Sequence, residues 1–200
     1  MKVKILKGKA GYKIFTQVCE NVYLNNKHYR ATEASVEKML LSDKSAFKNH
    51  ADIKMFALTD DTGSKYVGRF ALIHDVYLPD YIQVSFFEAE EGLGNVFTLI
   101  KKTVSEHFPS IKKIVVGLNG HLNYGAGILL NRFDEVPLFG LPYNPKYYQD
   151  YFKNLRQRNM CTFRFNFNTY VKWATSYSVN KMPEGLSVRF MNKRRIRDET

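Results

Sequence analysis

The residues best suited to chemistry concentrate in one short segment near the middle of the chain. Ala89-Glu90-Glu91-Gly92-Leu93-Gly94 follows a strand-like run that ends at Glu88, and it precedes a helix-like run. Glycines at such a position let the backbone approach a phosphate closely, beside the N–H groups that open a helix. The carboxylates at positions 88, 90 and 91 would repel a phosphate. The segment therefore predicts either a phosphate-binding loop or a turn that merely leads from strand to helix.

Other catalytic and metal-binding motifs are missing from the sequence. It contains no Walker loop, no Cys-x-x-Cys, no His-Glu-x-x-His and no Gly-x-Ser-x-Gly. The five histidines are scattered, and a lone loop histidine such as His121 is usually solvated. Cys19 and Cys161 lie far apart and form no metal-ligand spacing. We therefore predict no metal and a reduced, cytoplasmic protein.

The composition is that of a globular protein with a basic surface. A chain of 200 residues with 44% hydrophobic residues can bury a substantial core. No apolar run approaches the roughly 20 residues of a membrane span, and no secretory signal is recognisable. The net charge of +11 attracts polyanions such as a phosphorylated cofactor or nucleic acid. The charge is spread along the chain, which makes nucleic acid a possible partner but not a favoured one.

The elements that must position these residues alternate between strand and helix periods. Strands are predicted over 3–6, 53–58, 66–73, 81–88, 111–118, 136–141 and 160–171. Helices are predicted over 12–24, 33–41, 94–108, 126–131 and 145–155. The turn residues 60–64 join two strands as a hairpin, and the helix 94–108 is a crossover that makes its flanking strands parallel. The fold class is α/β: a mixed, twisted sheet of about six or seven strands with helices on both faces.

Short pieces of the chain carry a family resemblance through their order and spacing. They are 47–52, 55–58, 67–70, 86–88, 117–119, 127–129, 133–134 and 142–148. These pieces resemble the GNAT superfamily of acyl-CoA-dependent N-acyltransferases, and more closely a bacterial family of GNAT-like N-acetyltransferase proteins. The resemblance covers roughly residues 12–172, and 184–191 resembles the opening strand of another GNAT unit. We therefore predict a GNAT-like domain over 1–175 and a C-terminal extension over 176–200.

The resemblance implies acyl-CoA as co-substrate and an amine, on a small molecule or a peptide, as acceptor. The superfamily binds the pyrophosphate with a Gln/Arg-x-x-Gly-x-Gly/Ala loop, in which Ala89 here replaces the Gln or Arg. The pantetheine arm lies between two splayed strands, which correspond to 81–88 and 111–118. The residues implied for acyl-CoA binding are Phe87, Gly92, Gly94, Asn95, Asn119, Asn123 and Asn144.

The resemblance also implies a path for protons. Superfamily enzymes often use a Glu on the fourth strand, or a water, as base, and a Tyr on a later helix as acid. Glu88 is the implied base, with a solvated carboxylate as the alternative. Asn123-x-x-Ala126 matches a superfamily motif, but Leu130 stands where its Tyr is expected. The candidates for the acid are Tyr147, Tyr148 and Tyr151. For each of them the alternative is aromatic packing of a helix.

Two classes of function follow from these residues. The first is an acyl-CoA-dependent N-acyltransferase acting on an amine of unknown size. The second is a GNAT-fold protein without catalytic activity that serves as a binding module, with nucleic acid as a candidate ligand because of the charge.

Overall fold

The structure, a computed structural model, describes residues 1–31, 33–138, 140–162, 166–168 and 171–172. The chain divides into two units, Met1–Gln157 and Arg158–Thr200. In the second unit, 160–162 is irregular, whereas 167–168 and 171–172 are helical. The strand predicted over 160–171 is therefore wrong at these positions, where the side chain of Phe167 is 75% exposed. Residue 166 is also irregular, whereas residues 163–165 and 169–170 of that range and the predicted boundary at 175 lie outside the described residues.

A five-stranded sheet forms the centre of the first unit. Its strands are β1 (Lys2–Leu6), β2 (Ala51–Thr59), β3 (Tyr66–Asp75), β4 (Tyr81–Ala89) and β5 (Lys113–Val116). They lie side by side in chain order, with antiparallel pairing from β1 to β4 and a parallel pair at β4–β5. The parallel pair and the β2–β3 hairpin were both predicted from the sequence, and both are confirmed.

Helices cover both faces of this sheet. They are α1 (Gly8–Val22), α2 (Ala34–Leu41), α3 (Val96–His107) and α4 (Tyr148–Phe152). Neighbouring strand residues point to opposite faces, so Phe70 packs with α3 and α4 while Ala71 packs with α1 and α2. The mixed α/β fold class with helices on both faces is confirmed, although the described residues contain five strands rather than six or seven.

The segment after β5 differs most from the prediction. Residues 126–131 are not helical, because Gly125 and Gly127 adopt left-handed φ angles of 109° and 100°. Ala126 instead makes an isolated antiparallel bridge to Leu118. The described residues 136–138 and 140–141 form no strand. The predicted helix 145–155 is confirmed only as the shorter α4.

Candidate functional site

The site is built around an irregularity in β4. Glu88 lies opposite Arg69 and Ser85 lies opposite Ala71, so Phe86 and Phe87 together face one residue of β3. This is a β-bulge, and Phe86 occupies the left-handed region with φ 49°. The extra residue lets Phe86 pack with α1 and α2 and Phe87 with α3 and α4. It also reverses the alternation beyond it, which brings Glu88 beside α1 and away from the apolar α3 core.

The carboxylate of Glu88 is held by two tyrosine hydroxyls. Its Oε2 accepts hydrogen bonds from Tyr23 at 2.5 Å and from Tyr148 at 2.7 Å. Burial raises the pKa of Glu88 to about 7, although the positive charge of Arg69 and the two hydroxyls act in the opposite direction. A carboxyl with this pKa is partly ionised at neutral pH, where it can accept a proton and release it again.

Three tyrosines of the α4 region reach the end of β4, but only one of their hydroxyls contacts Glu88 among the described residues. Tyr148 donates to Glu88 and accepts from the N–H of Ala89 at 2.8 Å. Tyr147 donates to the carbonyl of Ala89 at 2.8 Å, and Tyr151 donates to the carbonyl of Glu90. The pKa of Tyr148 is raised by burial and by the charge of Glu88, so its hydroxyl stays protonated. Of the three tyrosines that were candidates for the acid, Tyr148 is therefore the one whose hydroxyl contacts Glu88.

β4 and β5 separate beside the bulge. Their pairing ends at Val84 and Val116, after which the N–H of Gly117 donates to the carbonyl of Val84 at 3.1 Å. Further along, side chains replace the backbone pairing. The hydroxyl of Ser85 donates to the carbonyl of Leu118 at 2.5 Å, and the N–H of Phe86 donates to Oδ1 of Asn119 at 3.0 Å. The two strands therefore splay at this point, although these hydrogen bonds still connect β4 to the residues that follow β5.

A small cavity lies in this splay. Its volume is about 40 Å³, and it is lined by Glu88, Phe87, Asn119, Asn144 and Tyr148 among others. Five predicted site residues, two catalytic candidates and three cofactor candidates, therefore meet in one place. A pantetheine arm needs far more room, because each water-sized site already takes about 10–15 Å³. Gly117, Gly127 and Ile128, which belong to the segment that follows β5, also line the cavity.

Two of the predicted cofactor asparagines are engaged inside the protein. Asn144 accepts from the N–H of Leu129 at 2.6 Å and donates to the carbonyl of Pro145 at 2.9 Å. Asn119 connects β4 to Glu33, since its Nδ2 donates to Oε1 of Glu33 at 3.1 Å. Both amides thus hold the walls of the cavity in position.

The predicted phosphate loop precedes α3 and is open to solvent. Gly92 has φ 77°, and a Cβ at Gly92 or Gly94 would meet no atom within 4 Å. Asn95, with φ 60°, precedes the first turn of α3, and its carbonyl accepts from Leu99 at 3.0 Å. The N–H of Leu93 already donates to the hydroxyl of Tyr151 at 3.3 Å. The open glycines suit a bulky anion, although one of the loop's donors is in use.

The flanking residues of this loop depart from the predicted pattern. Ala89 is fully buried, so its position offers no room for a phosphate-binding side chain. Glu90 forms an ion pair with Lys65 at 2.8 Å, which reduces the repulsion expected from the acidic residues. Glu91 is exposed. The loop therefore repels a phosphate less strongly than its acidic residues indicate.

Asn123 lies apart from the residues predicted to act with it. It belongs to the 3₁₀ helix Leu122–Tyr124, where its N–H donates to Nδ1 of His121 at 3.2 Å. It is exposed and does not line the cavity, so its prediction as a cofactor residue finds no support in the geometry. The physical reason is local, because the Gly-rich segment here does not form the helix that would carry the motif.

Three residues of the site escaped the sequence analysis: Tyr23, Glu33 and Arg69. Arg69 is the charged residue within the largely apolar run from Val67 to Ile73, and its position there was a sequence signal of a buried charge. Its Nη1 lies 2.8 Å from Oε2 of Glu37 and donates to the carbonyl of Phe15 at 3.1 Å. Glu33 lines the cavity, and burial, followed by the charge of Glu88, raises its pKa to about 7. Tyr23 and Glu33 carried no signal, since Tyr23 reaches Glu88 and Glu33 reaches Asn119 only through tertiary hydrogen bonds.

Other features of the described residues bear on the class of protein. They contain no group of three or more His, Cys, Asp or Glu side chains placed to hold a metal ion. Of the helices they form, none combines the length and the apolar content that a bilayer span requires. A wider surface cleft of about 460 Å³ lies beside Pro145 and Tyr147, next to the end of α1 and the residues that follow it, and three of its eight lining residues are asparagines.

Comparison with known proteins gives limited information. No protein-family model matches the chain, and no match was found among curated proteins. Among solved structures, the chain is similar to an acetyltransferase of the GNAT family from Staphylococcus aureus Mu50. The two share 14% identity with a TM-score of 0.39, over 58% of this chain and 72% of that one. A TM-score this low carries no functional weight, so the function must be inferred from this chain's own residues.

Proposed function

We propose that this protein is an acyl-CoA-dependent N-acyltransferase in which Glu88 is the base. The observation that carries the proposal is the placement of Glu88 at the β4 bulge, beside the cavity where β4 and β5 part. Its pKa of about 7 matches a general base that works near neutral pH. The hydroxyls of Tyr23 and Tyr148 fix the orientation of the carboxylate, as an acid–base pair requires.

The residues of the site can account for the proton that passes from the acceptor amine to the leaving thiolate. When bound, acyl-CoA supplies an activated acyl group as a thioester. Glu88 takes one proton from the acceptor ammonium, and the free amine then forms the C–N bond as the C–S bond breaks. Tyr148, bonded to Glu88 at 2.7 Å, donates a proton to the departing thiolate and regains one from Glu88. The second proton of the ammonium leaves to solvent, so the products are an amide, coenzyme A and one released proton.

The residues that would hold acyl-CoA lie along the same edge of the sheet. The loop at Gly92 and Gly94 and the first N–H groups of α3 would bind the pyrophosphate, because a helix N-terminus favours anions. The cavity of about 40 Å³ is too small for the pantetheine arm. Binding therefore requires the segment near Gly127, whose N–H donates to Gly117 at 2.6 Å, to move outward.

A thermal-shift titration with coenzyme A and acetyl-CoA tests the proposal. Ligand at 100 times its Kd stabilises a protein by about 2.7 kcal/mol, which raises Tm by several degrees. We expect this shift, together with release of coenzyme A thiol when acetyl-CoA and an amine are both present. The absence of any shift, with no thiol release across a panel of amines, would contradict acyl transfer.

A binding module without catalytic activity is the second candidate. It is favoured by the small cavity and by the net charge of +11, which attracts nucleic acid. Affinity that depends on phosphate contacts falls steeply with salt, because each contact releases counterions. We expect weak binding that disappears near physiological ionic strength. A tight, sequence-selective complex at about 150 mM salt would favour this candidate instead.

A further inference from the structure

A buried arginine lies directly opposite Glu88 in the sheet. Arg69 of β3 pairs in register with Glu88 of β4. Residues so placed on antiparallel strands present their side chains on the same face, with Cβ atoms about 5 Å apart. Arg69 is 3% exposed, and its guanidinium carbon lies 4.4 Å from the centre of the Phe15 ring. A permanent positive charge is therefore fixed beside the candidate base and away from water.

The contacts of Arg69 hold its charge close to Glu88 without an ion pair between them. Its Nη1 lies 2.8 Å from Oε2 of Glu37 on α2 and donates to the carbonyl of Phe15 at 3.1 Å. Among the residues that the structure describes, no ion pair or hydrogen bond joins Arg69 to Glu88. Arg69 can thus act on Glu88 through its charge rather than as a hydrogen-bond donor.

One nitrogen of Arg69 has no hydrogen-bond partner in the described part of the chain. This nitrogen, Nε, is also shielded from solvent. An unpaired buried donor is costly, so its presence in a folded protein needs an explanation beyond packing. A charge that is neither fully paired nor screened by water acts more strongly on its neighbours, because the surrounding dielectric is low. The ion pair with Glu37 therefore does not use up the whole effect of Arg69, and Glu88 is the carboxyl opposite it.

Several parts of the chain place titratable groups around Glu88. Besides Arg69 they are Cys19 and Tyr23 of α1, Tyr29 and Glu33 of the segment after α1, Glu37 of α2, and Tyr147 and Tyr148 at α4. Burial raises the pKa of the thiol and of the four tyrosine hydroxyls, so these groups are uncharged near neutral pH. Glu33 titrates in the same range as Glu88, since its pKa is also raised to about 7. The charge of Arg69 lowers the pKa of Glu88, and the charge of Glu37 raises it.

We propose that Arg69 is a positioning residue that keeps Glu88 ionised and ready to accept a proton, and that Glu37 on α2 limits this effect. The proposal rests on Glu88 being the base of the proposed acyl transfer. Without the guanidinium, burial would leave Glu88 protonated, and a protonated carboxyl cannot take the proton of the acceptor. Without Glu37, Glu88 would stay ionised but would be a weaker base. The ion pair thus sets the pH range in which the site works.

Two variants of the ion pair should shift the pKa of Glu88 in opposite directions. Arg69→Met removes the positive charge and should raise this pKa by at least about 1, whereas Glu37→Gln leaves the positive charge less compensated and should lower it. Both variants disturb the same buried pair, so a merely structural role would not separate them in sign. A ¹³C NMR titration of the Glu88 carboxyl, assigned by its absence in Glu88→Gln, measures the pKa without any need for turnover. In kinetics, kcat/KM of Arg69→Met at pH 6 should fall about tenfold for a pKa rise of about 1.

A double variant and a surface variant complete the set. Arg69→Met leaves the buried carboxylate of Glu37 unpaired, which is destabilising. The double variant Arg69→Met/Glu37→Gln has no unpaired charge at this pair, and compared with Glu37→Gln it loses only the positive charge. Its pKa of Glu88 should therefore exceed that of Glu37→Gln by at least about 1. Arg132→Met breaks the exposed ion pair with Glu135 and is the matched control, which should leave the pKa of Glu88 unchanged because solvent screens an exposed charge.

The outcomes separate this proposal from acyl transfer itself. Shifts of the same sign in the two single variants, or equal pKa values of Glu88 in the double variant and Glu37→Gln, would overturn the role of Arg69 and leave acyl transfer standing. Opposite shifts without any release of thiol would keep the control of Glu88 by Arg69 and overturn acyl transfer. Opposite shifts with matching displacements of the pH profile of kcat/KM would support both.

Discussion

At the scale of single residues, the site is a competition between burial and hydrogen bonding. Burial favours the neutral form of Glu88, whereas Arg69 and two tyrosine hydroxyls favour its ionised form. The effect of burial is larger than the combined effect of Arg69 and the two hydroxyls, so the pKa of Glu88 is raised to about 7. The same balance acts on Glu33, where the amide of Asn119 is the main opposing contact. Two carboxyls that would otherwise be inert anions are thereby able to exchange protons near neutral pH.

Replacing Glu88 should remove the base and leave binding intact. Loss of a general base usually lowers the rate by about 10²- to 10⁴-fold, so we expect Glu88→Gln to lower kcat in that range. Because the base must be deprotonated, wild-type kcat/KM should rise with pH and level off above about 7. Initial rates of thiol release between pH 5.5 and 9 measure both effects. A variant with wild-type kcat, or a flat wild-type profile, would contradict the role of Glu88.

Two of the three tyrosines, Tyr147 and Tyr148, provide a comparison in which each variant loses one hydrogen bond to the backbone of Ala89. Tyr148→Phe removes the hydroxyl that contacts Glu88, whereas Tyr147→Phe removes one that contacts only a backbone carbonyl among the described residues. Each change leaves one backbone group of Ala89 without its partner, at a cost of about 1–3 kcal/mol in unfolding free energy. We expect a loss of kcat of at least tenfold for Tyr148→Phe alone. Equal kcat values in the two variants would exclude Tyr148 as the acid.

At the scale of secondary-structure elements, the bulge in β4 is decisive. Regular alternation would place Glu88 on the face that packs against α3, where its charge would meet an apolar core. One extra residue reverses the alternation and directs the carboxylate toward Tyr23 at the end of α1. The left-handed φ of Phe86 is tolerated because both Phe86 and Phe87 are packed against neighbouring elements.

The start of α3 permits a test of cofactor binding that leaves the fold intact. A side chain at Gly94 meets no atom within 4 Å of its Cβ, and its φ is not left-handed, so substitution there should not strain the backbone. Gly94→Glu places a negative charge where the pyrophosphate is proposed, and Gly94→Gln has the same shape without the charge. We expect Gly94→Glu to weaken coenzyme A binding at least tenfold more than Gly94→Gln. Calorimetric titration measures the affinities, and equal values would place the phosphates elsewhere.

At the scale of the whole molecule, a net positive charge is combined with a site in which carboxyl groups predominate. The net charge of +11 makes the surface attractive to polyanions, such as the phosphates of coenzyme A. Inside the site there are three carboxyl groups, those of Glu33, Glu37 and Glu88, and one guanidinium, that of Arg69. A negative cavity within a basic surface matches the proposed pair of substrates, an anionic cofactor and a cationic amine.

The buried carboxyls should make stability depend on pH. The folded-state pKa of Glu33 and Glu88 is about 7, above the roughly 4.3 of an unfolded Glu. The folded protein therefore binds these protons more tightly, and the stability they contribute is present below about pH 4.3 and lost as pH rises through 7. We expect the fall in unfolding free energy between pH 5 and 8 to be smaller in Glu33→Gln than in wild type, by about 2 kcal/mol. Urea denaturation at both pH values measures this difference. Parallel losses in the two proteins would show that Glu33 does not titrate as described.

Local patterns in the sequence determined the fold class and pointed to the right region. Apolar periodicity identified the strands β1 to β5 and the helices α1 to α4 of the first unit, whereas the helix predicted over 126–131 and the strand predicted over 136–141 were wrong. The crossover helix α3 required β4 and β5 to be parallel neighbours, as they are. Glu88 and three tyrosines of the α4 region were identified as candidates, and one of these tyrosines, Tyr148, does contact Glu88.

Only the tertiary structure decided how the site is completed. The bulge allows Phe86 to pack in one core and Phe87 in the other, and a linear pattern does not show that there are two cores. Glu88 meets Tyr23 and Tyr148 across 65 and 60 residues of chain, and Asn119 meets Glu33 across 86. Such contacts depend on how elements pack rather than on local propensity. For the same reason Glu33 left no trace in the sequence, although its position beside Gly125 makes it the second carboxylate of the cavity.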